Sequence, residues 1–127
     1  MQENFEGRAT KDMKYKLDKN KFYEQLKKFT NKYIPIFISM PINLESKYSI
    51  ILDEFRTSGE KAKHNYTLQI LDRTKSGYEK YMCKDIEFNL IDENIKSDFQ
   101  LYKFISKKVN EVLEAKDENI SNRPTEI

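Results

Sequence analysis

The sequence predicts an α+β fold, α-β-β-β(-β)-α, a two-layer sandwich with an antiparallel sheet and both helices on one of its faces. Three observations point there. Apolar residues recur at helical spacing over 17–33 and again from Ser97 to about Ala115. Between these stretches, period-two alternation and short apolar runs, bounded by Pro, Gly and polar clusters, mark three or four strands. The 127 residues suffice for one core and little more, and sixteen Phe and Tyr side chains supply much of its apolar area.

The chain divides into a lead-in (1–16) without periodicity, one domain (17–115) and a polar tail (116–127) expected to be disordered. In the first helix Leu17, Phe22, Leu26, Phe29 and Tyr33 form the apolar stripe. Asp18 or Asn20 can cap it, and Pro35 lies just past its end. The run IPIFISM, 34–40, reads as a buried strand between Pro35 and Pro41. YSIILDEFR, 48–56, sets Ile50, Leu52 and Glu54 against Ile51, Asp53 and Phe55; it reads as a strand, with a short helix as the alternative. TSGEKAKHN, 57–65, is a polar, basic loop.

YTLQILD, 66–72, puts Tyr66, Leu68 and Ile70 on one face, with Thr67 and Gln69 on the other. After the turn RTKSG, the stretch 78–91 sets Ile86, Phe88 and Leu90 against Glu87 and Asn89, so an antiparallel hairpin is the simplest pairing. Ser97-Asp98-Phe99-Gln100 fits a capping box. Phe99, Tyr102, Ile105, Val109, Val112 and Leu113 carry the last helix, with Lys107, Lys108 and Lys116 placed to complement its C-terminal dipole.

Net charge is only +2, but its distribution is uneven. Residues 11–33 carry a surplus of five positive charges, 61–84 a surplus of four, and 85–98 a deficit of four. With both helices on one face, the other sheet face is left bare, and Thr67, Gln69, Lys80 and Lys84 are expected on it. Lysines ringing such a surface would make it an anion dock. Arg73 and Lys75 belong to the same basic stretch, and Tyr78 and Tyr81 flank Lys80 as possible stacking groups.

The inventory for catalysis is thin. His64, the only His, sits in the basic loop without a Ser-His-Asp pattern or metal-ligand spacing; phosphate contact or stacking suits it better than proton transfer. Cys83, the only Cys, reads as a small hydrophobe and excludes a disulfide framework. The adjacent carboxylates Asp53/Glu54 and Asp92/Glu93 would point to opposite faces of a strand, against a shared acid–base site. A non-enzymatic protein without a cofactor is the expectation. No apolar run is long enough to span a membrane, and the N-terminus lacks a secretory h-region, so a cytoplasmic setting is expected.

The segment LDKNKFYEQLKKF (17–29), the strand IFISM, the pair YTLQILD and EKYMCKD around RTKSG, and the helix from Ser97 together resemble the 14 kDa subunit of signal recognition particle. The resemblance spans about residues 17–115 and lies in element order and hydrophobic spacing. It implies a heterodimer with a similarly folded 9 kDa subunit, whose joined sheet binds the particle's Alu RNA and slows elongation during protein targeting. By position, Lys80 would meet RNA, Gln69 falls where the family usually has a basic residue, and Arg56, Lys61 and Lys63 would reach RNA from the long loop. The basic tail of many members is absent. With His64, Arg73, Lys75 and Lys84, these make the candidate RNA-binding set. The expected partners are structured RNA and a similarly folded small protein, or a second copy joined through a sheet edge. The competing reading is a small protein-binding inhibitor or immunity-type protein, phage- or plasmid-encoded, with the acidic stretch 85–98 as a contact surface.

Overall fold

In the computed structural model, Asp18 opens the first helix by accepting a hydrogen bond from the Lys21 backbone N–H at 3.1 Å. This satisfies one of the free donors of the first turn. The structure describes residues 13–29, 34–56, 64–74 and 82–122. Helix α1 spans Lys19–Lys27 and buries Phe22 and Leu26, one turn apart. Four strands follow, β1 (Phe37–Pro41), β2 (Tyr48–Arg56), β3 (His64–Asp72) and β4 (Met82–Asn89), then helix α2 (Asp98–Asn122). The strands form one antiparallel sheet in the order β1-β2-β3-β4, so β1 and β4 are its edges.

Register explains why the alternations read from separate segments cooperate. Ile38 stands opposite Leu52, Leu52 opposite Leu68, and Leu68 opposite Ile86. Ile38, Met40, Ile50, Leu52, Tyr66, Leu68, Ile70 and Phe88 are buried in one cluster with Phe22 and Leu26 of α1 and Leu101, Tyr102, Ile105, Val109 and Leu113 of α2. Each such aliphatic side chain contributes roughly 1.5–3 kcal/mol by leaving water. Phe88 packs against Phe104 of α2 at 4.7 Å between ring centroids and stacks on Tyr66 at 5.3 Å. The Tyr102 hydroxyl donates to the Leu17 carbonyl at 2.8 Å, so its polar tip is satisfied within the core.

Residues 48–56 resolve as a strand. Glu54, at the turn-distal end of β2, is buried; its Oε1 accepts from the Ile36 N–H at 2.9 Å, and its own N–H donates to the Ile36 carbonyl at 2.8 Å. The loop expected over 57–65 is shorter at its end, because His64 already pairs with Arg56 as the first residue of β3. The hairpin between β3 and β4 is antiparallel as expected, with a bulge where β4 passes from Lys84 to Met82 while β3 passes from Ile70 to Leu71.

Two boundaries move. The last helix does not stop near Ala115 but continues to Asn122. The lead-in does not stay loose up to residue 16. Tyr15 donates its backbone N–H to Asn110 at 3.1 Å, Lys14 bridges Asp117 at 2.8 Å, and the Tyr15 hydroxyl donates to the same carboxylate. Polarity alone marked both stretches as free, whereas Lys14 and Tyr15 of the first hold Asp117 of the second. Lys107, Lys108 and Lys116 accordingly lie inside the helix, and its last turn carries no basic residue. One half of the expected capping box forms, with Ser97 Oγ accepting from the Gln100 N–H at 3.1 Å; the Gln100 side chain reaches past Ser97 and accepts from the Lys96 N–H at 2.6 Å. Phe99 departs from its expected core role. It is 47% exposed, with the ammonium groups of Lys19 and Lys103 at 5.1 and 5.3 Å from its ring.

Candidate binding surface

The strand residues that alternate with the core set define the other side of the sheet. One cross-strand row runs Phe37, Asp53, Thr67, Glu87; the next runs Ser39, Ile51, Gln69, Asp85. Phe55, Asn65 and Asn89 form a third row beside the first. Phe37 and Phe55 are 52% and 39% exposed, Asp53, Asp85 and Glu87 are exposed, and Ile51, Thr67 and Gln69 are half-buried. A strand that buries Ile50, Leu52 and Glu54 has to present Ile51, Asp53 and Phe55 on its other side. The charged members of these rows are therefore all carboxylates, and an aromatic pair lies beside them on the β1–β2 side.

Among the described residues, no lysine stands in these rows, where Lys84 was expected. Thr67 and Gln69 do lie on this face, but Lys84 does not belong to its rows. Lys84 stands opposite Ile70, whose side chain is in the core, and it is exposed at the β4 edge next to the bulge. Lys61, Lys63, Lys75 and Lys80, together with Tyr78 and Tyr81, lie outside the described residues. Arg56 and His64 pair at one end of the β2–β3 ladder. Arg73 follows β3 at the other end, where it is exposed and its Nη2 donates to the Ser46 carbonyl at 2.9 Å. Nine residues of strand separate His64 from Arg73, about 30 Å at the usual rise. Among the described members of the predicted set, Arg56 and His64 thus lie at one end of the β2–β3 ladder and Arg73 and Lys84 toward the other.

Signals for the acidic and aromatic members were already present in the sequence as the partners of buried residues. The missing quantity was register, which depends on loops that carry no periodicity. Glu54 and Asp53 separate to opposite sides, as adjacent strand residues must; Asp92 and Glu93 are instead both exposed in the turn after β4.

A second polar region lies at the β1–β2 turn. A cleft of about 430 Å³ is lined by Lys14, Tyr15, Glu45, Lys47, Tyr48 and Asp117, among others. Its two lysines are matched by its two carboxylates. Burial, then the hydrogen bond to Asp117, pushes the Tyr15 phenol up to about 12. Lys14 and Tyr15 in turn hold the Asp117 carboxyl below its usual range. Nearby Asp72 is buried; two bonds from Thr74 and the Lys47 ammonium outweigh that burial and hold its carboxyl low. Lys14 and Asp117, and Lys47 and Asp72, thus pair opposite charges at this end of the sheet. Burial raises the Cys83 thiol, which keeps it protonated and a poor nucleophile. Among the described residues, no group of three or more His, Cys, Asp and Glu side chains could hold a metal ion, and no helix is long and apolar enough to cross a membrane.

The resemblance to the signal recognition particle subunit rests on the quoted residues and element order. Comparison with family models, with curated proteins and with solved structures finds no match to this chain.

Proposed function

We propose that the chain is a non-enzymatic protein-recognition module of the inhibitor or immunity type, which takes a cationic, partly apolar surface of a partner protein on the bare face of its sheet. The observation that carries this reading is the composition of the cross-strand rows: Asp53, Asp85 and Glu87 are exposed beside Phe37 and Phe55. A phosphate backbone approaching this face would meet like charge, within the roughly 8 Å over which charges act at physiological salt. A Lys- or Arg-bearing surface would meet opposite charge, and the aromatic pair would give it apolar area to cover.

A ribonucleoprotein subunit is the second reading, and one observation favours it on a different surface. Lys19, Lys21, Lys27 and Lys28 are exposed along α1 and its C-cap against the single acid Glu24. The experiment that separates the two titrates the full chain with a highly basic protein such as lysozyme, and with a structured RNA, across a salt series. Asp53→Lys/Glu87→Lys should abolish binding to the basic protein with the fold intact. RNA binding that weakens steeply with salt, and is lost in Lys21→Glu/Lys28→Glu but kept in the sheet-face variant, would move the function to α1 and to RNA.

A further inference from the structure

The partner of the sheet face can be specified further, an inference that rests on the protein-recognition reading above. Protein segments join a sheet in two ways: as an added strand at an edge, or laid across a face. Both edges resist addition. On β1, Ile42 N–H donates to the Tyr48 carbonyl and Glu54 N–H to the Ile36 carbonyl, at 3.0 and 2.8 Å. With the antiparallel register, this directs the backbone groups of even-numbered residues inward, toward β2. Only Phe37, Ser39 and Pro41 of β1 point outward, and Pro41 has no N–H. An incoming strand would therefore find two donors. At β4 the bulge interrupts the pairing line, and Lys84, Asp85 and Glu87 are exposed along it. Bulges and charges on an edge strand are what disfavours strand addition.

Among the described residues the face offers more exposed surface than the edges: Phe37, Phe55, Asp53, Asp85 and Glu87 are exposed on it, while Asn89 is buried beside the turn after β4. The three rows of the face span about 13 Å along the strands and about 14 Å across four of them, by standard strand spacings. That area accommodates two to three turns of one α-helix, whose pitch is about 5.4 Å. Its composition also differs from side to side: Phe37 and Phe55 lie on β1 and β2 with Asp53 opposite Phe37, β3 contributes neutral Asn65, Thr67 and Gln69, and Asp85 and Glu87 lie on β4. A helix lying across the strands would meet apolar surface at one end and carboxylates at the other. A helix lying along them would meet apolar surface on one flank and carboxylates on the other. We infer that the occupant of this face is an amphipathic helix of a partner protein, with large apolar residues at i, i+3/i+4 and i+7 and Lys or Arg on the flank that meets β4.

The test uses the full chain labelled for amide NMR and two synthetic peptides of identical Leu/Lys composition. One is patterned at helical period, the other alternates Leu and Lys at strand period. The expected result is that the helical-period peptide shifts the amides of Phe37, Asp53, Phe55, Thr67 and Glu87 and gains helicity on binding. Asp53→Lys/Glu87→Lys should weaken it at least tenfold. Preferential binding of the strand-period peptide, with shifts confined to one edge strand, would overturn the helix inference and leave protein recognition standing. Binding of neither peptide overturns the helix inference as well, and with no response to lysozyme it removes the protein-recognition reading.

Discussion

At the end of β3 the two oxygens of Asp72, a side chain only 1% exposed, are held differently. Oδ1 accepts from the Thr74 N–H at 2.9 Å and the Thr74 hydroxyl at 2.6 Å, while Oδ2 faces the Lys47 ammonium at 3.5 Å. A carboxyl held below its ordinary value of 3.8 stabilises the fold above that pH, and the contribution is lost as pH falls through the lowered value. Asp72→Asn should therefore lose about 1–3 kcal/mol at pH 7, read from urea unfolding, with the gap to the parent protein narrowing as pH falls through the lowered value. Tyr15 has the opposite sign. Its phenol is raised from 10 to about 12, so its contribution is complete below pH 10 and disappears as pH climbs to 12. Tyr15→Phe should flatten the alkaline decline in urea midpoint between those two pH values. Neither residue stood out in the sequence. Asp72 ended a strand pattern and Tyr15 sat in a segment without one; Lys47 and Asp117, their ion-pair and hydrogen-bond partners, are remote in sequence.

Elements were the most legible scale, since each is set by contacts within a few residues. Period two over Tyr66–Asp72 and the helical stripe over Phe22 and Leu26 needed only local sterics and one buried side. The Ser97–Gln100 cap was equally local, and Ser97→Ala should cost about 1 kcal/mol, seen as a lower urea midpoint at unchanged m. What the elements did not reveal was where they end and how they line up. Helix α2 runs past Ala115 with Lys14 and Tyr15 on its Asp117, a contact that no local pattern announces. Truncating residue 68 tests the sheet's central position, because Leu68 is fully buried between Leu52 and Ile86. Leu68→Ala should lose about 2–5 kcal/mol, measurable as a drop in unfolding free energy.

Among the described residues, charge is uneven from one surface to another. Exposed lysines line α1, exposed Asp53, Asp85 and Glu87 lie on the sheet face away from the core, and α2 carries both signs. Net charge of +2 hides this separation. The basic stretches visible in the sequence were counted along the chain, whereas a partner meets them sorted by register and helical phase. Because Asp53, Asp85 and Glu87 are exposed, neutralising all three to Asn and Gln should change stability by only about 0.5 kcal/mol. Thermal unfolding of that triple variant, set beside its loss of basic-protein binding, separates recognition from folding.

The bond between Lys14 and Asp117 spans 103 positions and fastens the beginning of the described chain to its final helix. The same helix supplies Leu101, Tyr102, Ile105, Val109 and Leu113 to the cluster that buries Ile38, Leu52 and Leu68, so during synthesis these strand residues lack that cover until α2 leaves the ribosome. A nascent chain halted at Ile95 should show collapsed amide dispersion and bind chaperones, and release of the remaining residues should restore order in a single late step.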